Sequence, residues 1–95
     1  MADSRILLSG LEEYRRVLER HLTQVTAEYQ QLDNNWQQFN AVSEGDYADQ
    51  FRAGWFRTSQ RFHEYISQTR KISAVLDERI EQLRRLNQAE GGLLG

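Results

Sequence analysis

Residues 42–56, VSEGDYADQFRAGWF, interrupt a chain that is otherwise rich in Leu, Glu, Gln and Arg and contains no Pro. Residues of that kind favour uninterrupted helix, so a Gly between two acids in mid-chain marks a place where the backbone turns. Gly45 has no Cβ to clash and suits the left-handed residue that ends a helix. Asp46 is then expected to cap the following helix. Asp49 places negative charge in its first turn, at the positive end of the dipole.

On either side of this break the apolar residues keep helical time. Upstream they fall at Leu11, Tyr14, Leu18, Leu22, Val25, Tyr29, Leu32, Trp36 and Phe39, three or four residues apart. Downstream they resume at Tyr47, Phe51, Trp55, Phe62, Ile66, Leu76, Ile80 and Leu83, with Thr58, Thr69 and Ser73 filling gaps. In an antiparallel hairpin, facing residues have numbers with a nearly constant sum. Trp36 with Trp55, Tyr29 with Phe62, Val25 with Ile66, Leu11 with Ile80 and Leu8 with Leu83 all sum to 91, while Phe39 with Phe51 and Tyr14 with Leu76 sum to 90. The expected fold is therefore all-α: an antiparallel two-helix hairpin spanning about 4–43 and 46–90, within a single domain of 95 residues. Ser4 and Ser9 are rival caps for the first helix, Ser9 with Glu12 matching a capping box. The Leu8–Leu83 pairing favours a start near Ser4. Gly91 and Gly92 are expected to stop the second helix and leave a short flexible tail at 91–95.

Composition limits what such a hairpin does. The formal charge is −2, with acids and bases interspersed, which leaves no electrostatic footprint for nucleic acid or an anionic membrane. Without Cys there is no disulfide or thiolate metal site. The apolar run Ile6-Leu7-Leu8 is too short for the core of a signal peptide, and no segment approaches a membrane span. The expectation is a soluble, cytoplasmic protein, with any export by a route that uses no cleavable signal.

Two helices alone bury little relative to the conformational entropy of ordering them. Val17, Phe56, Tyr65, Ile72 and Val75 lie off the hairpin seam, mostly on the second helix. They are the candidate partner-binding residues, and a second copy completing a four-helix bundle is the simplest partner. The alternative is that they merely widen the seam.

Gly45, Ala48, Phe51 and Trp55 also stand at the spacing of a motif, WxGxxAxxFxxxW, with Ser43 where its first Trp belongs. This turn resembles that of the WXG family of small helical-hairpin proteins associated with type VII secretion. The resemblance implies a dimeric hairpin, a homodimer or a heterodimer with a related hairpin or effector, acting as substrate, partner or targeting unit. Its specific residues are Ser43, Gly45, Asp46, Ala48, Phe51 and Trp55. Trp36, seven residues before Ser43 on the same helix, is expected to supply the missing aromatic bulk. The family's actinobacterial export signal, Tyr-x-x-x-Asp/Glu after the second helix, has no match there; Tyr29 and Asp33 have that spacing but lie within the first helix.

Catalytic chemistry has little to stand on. His21 and His63 are the only histidines and fall about two turns out of phase in the hairpin register, so a shared metal site is not expected. HEYIS, at 63–67, lacks the second His of a zinc-protease helix, and EGGLLG, at 90–95, has no helix after it to bind phosphate. Pairs such as Glu81 and Arg85 read as solvated ion pairs. The expectation is a non-enzymatic protein-binding hairpin without cofactor or metal. Its competitor is a structural coiled-coil adaptor or chaperone-like hairpin unrelated to secretion.

Overall fold

The computed structural model describes the backbone of residues 2–42 and 45–94, and the side chains of residues 4–42, 45 and 47–91. It consists of two helices, α1 (Ala2–Val42) and α2 (Asp46–Leu94), packed antiparallel as a hairpin. The start of α1 at Ala2, close to Ser4, is the one the register favours, whereas the end of α2 differs from the sequence expectation. Helix α1 already includes Ser9, so the Ser9–Glu12 capping box does not form. Helix α2 does not stop at Gly91-Gly92 and carries helical backbone through Leu94 into the expected tail. A helical Gly costs only about 1 kcal/mol relative to Ala. It ends a helix when its φ turns positive, and Gly45 alone does so among the described residues.

The pair divides into a turn unit, Leu22–Thr69, and a terminal unit, Met1–His21 with Arg70–Gly95. In the turn unit the helices meet through rings. Trp36 stacks on Trp55 with centroids 6.1 Å apart and planes 28° from parallel, and Tyr29 also stacks on Trp55 at 6.1 Å, its plane 7° from parallel. Tyr29 also packs against Phe62 at 5.4 Å, and Phe39 meets Phe51 edge-on at 5.7 Å. Trp36–Trp55, Tyr29–Phe62 and Phe39–Phe51 are facing pairs that the register calls for, whereas Tyr29–Trp55, seven residues out of that register, is an added contact. Ala48, Ile66 and Thr69 are buried. Thr69 is tolerated there because its hydroxyl donates to the Tyr65 carbonyl oxygen at 2.7 Å on its own helix, so no polar atom is stranded. Ser59 is half-buried and donates to the Phe56 carbonyl oxygen, whereas the expected gap-filler Thr58 is exposed.

In the terminal unit the seam is aliphatic and polar. Ile80 is buried, and Leu8, Leu11, Leu18, Leu76 and Leu83 are half-buried. Tyr14, expected to face Leu76, is instead exposed. Arg15 next to it takes a half-buried place, its guanidinium hydrogen-bonded to Asp77 across the seam. The long aliphatic stem of Arg covers apolar surface while its charged head stays in water. Near the chain ends, the Ser4 hydroxyl donates to Asn87 Oδ1 at 2.7 Å, with Glu90 Oε2 at 3.2 Å as a second acceptor. Ser4 thus ties α1 to α2 rather than capping a helix.

Candidate interaction surface

Among the described residues, the reversal contains one left-handed backbone angle. Gly45 has φ +97°, a left-handed conformation that L side chains rarely adopt. Its carbonyl accepts the Asp49 N–H at 3.2 Å, the first bond of the α2 ladder. Gly45 itself therefore occupies the N-cap of α2, and Asp46, expected as the cap, is its first helical residue. Ser43 lies outside the described residues, as does the side chain of Asp46. Asp49 pairs with Arg52 at 2.6 Å, and Arg52 Nε donates to Asn40 Oδ1 at 2.6 Å across the seam. This small polar link between the helices begins one turn after Gly45.

The remaining motif residues separate into core and surface. Ala48 is buried and Trp55 half-buried, but Phe51 keeps 59% of its surface exposed. Successive helical residues point 100° apart, so Phe39 and Phe51 fall on one side of the tryptophan pair, with Asn40 and Arg52 on the other. The apolar side opens into a cleft of about 380 Å³ lined by Trp36, Tyr47, Gln50, Phe51, Gly54, Trp55 and Thr58. Tyr47, expected in the seam, is 80% exposed at its edge.

All five expected partner-binding residues are exposed. Phe56 and Tyr65 belong to the turn unit; nine residues apart on one helix, they point about 180° from each other and form no common strip. Val17, Ile72 and Val75 belong to the terminal unit. There, one side of the helix pair carries an apolar groove of about 440 Å³ lined by Leu7, Leu11, Arg79, Gln82, Leu83 and Leu86. The other side carries a charged groove of about 540 Å³ with Glu12, Arg15, Arg16, Asp77, Ile80, Glu81 and Arg84. Arg84 reaches Glu12 at 3.4 Å, and Arg15 reaches Glu19 at 2.9 Å as well as Asp77. The hydrogen bond to Asp77 raises the Arg15 pKa, partial burial opposes the rise, and the charges of Asp77 and Glu19 add to it. These acids and bases neutralise one another locally, so the groove presents no surplus charge.

Sequence reasoning missed this ion-pair network, the cleft over Gly54, and the link between Tyr29 and His63, whose hydroxyl and Nε2 lie 2.9 Å apart. Spacing alone offered a signal for the last, because the two residue numbers sum to 92, close to the hairpin register. Among the described residues no cluster of three or more His, Asp or Glu is arranged to hold a metal ion, and no helix is long and apolar enough to cross a membrane. Compared with known family models, curated proteins and solved structures, the chain matches none.

Proposed function

We propose that this chain is a non-enzymatic protein–protein interaction module, a WXG-like hairpin that pairs with a second hairpin in a secretion-associated assembly. The observation that carries the reading is the balance of apolar surface. Among the described residues, fourteen large hydrophobic side chains are exposed, from Ile6 to Leu86, against three buried hydrophobic residues, Ala48, Ile66 and Ile80. A hairpin with so much apolar surface outside its own seam gains from a partner that covers it. The secretion link rests on the turn: a left-handed Gly45 followed by buried Ala48 and half-buried Trp55 suits the motif that these positions resemble.

Sedimentation equilibrium at micromolar concentration tests the module. The expected result is twice the monomer mass, reverting to monomer when Ile72 and Val75, which are exposed on one side of α2, are both changed to Glu, because a charge buried without a partner opposes association. A well-folded monomer of the unmodified sequence overturns self-pairing. The secretion link is tested by gene context, where an adjacent secretion ATPase gene is the expected neighbour.

A further inference from the structure

Gly54 is a helix-weakening residue in the third turn of α2. It is half-buried, and a Cβ at this position would meet nothing within 4 Å. No internal close packing therefore requires a glycine here. What Gly54 does is floor the turn-unit cleft. The α2 residues lining that cleft are Tyr47, Gln50, Phe51, Gly54, Trp55 and Thr58. They fall into two overlapping sets at i, i+3, i+4 and i+7: Tyr47, Gln50, Phe51, Gly54, and then Phe51, Gly54, Trp55, Thr58. Four residues in that diamond are the hole into which a side chain of a facing helix inserts. Two holes four residues apart match two knobs at i and i+4 on one incoming helix, and glycine between them lets that helix approach closely.

The edge of the cleft specifies charge. Arg57 and Arg61 stand three and seven residues beyond Gly54, on its side of α2, both exposed. Neither has an ion-pair or hydrogen-bond partner among the described residues. One acid, Glu64, follows a turn later, so this end of the edge retains net positive charge, while Asp46 stands beside Tyr47 at the opposite, turn end. We infer that the turn-unit cleft seats one α-helix of an acidic amphipathic partner, which inserts two apolar side chains over Gly54 and sets carboxylates against Arg57 and Arg61. This rests on the interaction-module reading and names the partner chemistry for one part of its surface. The mode is helix in groove, with anchors at helical spacing and charge fixing orientation.

The test uses the full chain and a synthetic alanine-based helical peptide with two leucines at i and i+4 flanked by glutamates. Trp36 and Trp55 line the cleft and report binding directly through their emission. Saturable binding is expected, at least about tenfold weaker for a peptide with lysines replacing the glutamates and for one with the leucines at i and i+2. Gly54→Leu fills open space, so the variant should melt no lower than the parent yet bind the acidic peptide at least about tenfold more weakly. Arg57→Glu with Arg61→Glu should reverse the preference toward the lysine peptide. Equal binding by Gly54→Leu, or no binding by the unmodified chain, overturns the seat. Sedimentation of Gly54→Leu separates the two readings. A mass still twice that of the monomer, with no peptide bound by the parent, overturns the seat and leaves the module standing. Conversion to monomer places a second copy in the cleft and overturns the acidic-helix occupant.

Discussion

The turn unit joins its helices with rings, whereas the terminal unit joins them with one buried isoleucine, half-buried leucines and side chains that carry charge. Ring pairs add about 0.5–1.5 kcal/mol beyond the area they bury, and salt does not screen them. Exposed ion pairs add little, and salt weakens them further. The same helical pairing is thus sustained by shape at one end and by aliphatic burial with solvated charge at the other. The terminal unit should be the softer of the two.

The largest effect expected is at the rings. Trp55→Ala should cost about 3–4 kcal/mol in urea unfolding, and Trp36→Ala a similar amount. The double variant should lose less than the sum by about 0.5–1.5 kcal/mol, because the shared contact disappears only once. Strict additivity would remove the ring pair as the reason the turn unit is firm. Next comes Ile80→Ala, at about 2–3 kcal/mol for the one buried hydrophobic side chain among the described residues of the terminal unit. Its effect should appear in amide exchange as faster opening of the terminal helices; opening confined to the turn unit would invert the comparison.

Gly45→Val should cost about 1–2 kcal/mol by forcing a β-branched residue into a left-handed conformation. The loss should be read in thermal melts beside Gly10→Val, a helical position with no positive φ. Equal losses at the two sites would mean the turn is not held by its backbone angle. The smallest effect is ionic. Going from low salt to about 1 M NaCl should speed exchange of the Ile80 and Leu83 amides by about two- to fivefold, leaving those of Trp55 and Phe62 unchanged. No difference between the two sets would show that the ion pairs of Arg15 and Arg84 do nothing for the terminal unit.

The hairpin and its ring pairs were legible because two signals are discrete. A glycine between acids interrupts the helix formers, and large apolar side chains on both flanks have numbers with a constant sum. Width was not legible. An apolar stripe on one helix is broader than the contact made with a single neighbour, so Tyr14, Phe51 and Tyr47 read as seam residues yet sit at its exposed margin. Arg15 shows the converse, since hydropathy scores its charge and not the aliphatic stem that fills a seam position. Thr69 could be foreseen as a gap-filler because its hydroxyl has a carbonyl one turn back. Gly54 could not, because a glycine within a helical pattern looks like weak helix until the space above it is seen. The off-seam residues likewise read as one strip, although Phe56 and Tyr65 point opposite ways.

The positive φ at Gly45 has a stereochemical consequence. Left-handed backbone angles are strained for natural amino acids but are the ordinary right-handed basin reflected, and so are native to their mirror images. In a chemically synthesised chain, D-alanine at position 45 should therefore fit the turn, and by narrowing the freedom of the unfolded chain it should hold the fold at least as well as glycine does. L-Alanine at the same position, identical in composition and volume, should weaken it. Because the achiral residue is compatible with either hand, the pair of enantiomers would read out the handedness of a single peptide unit as a difference in melting temperature.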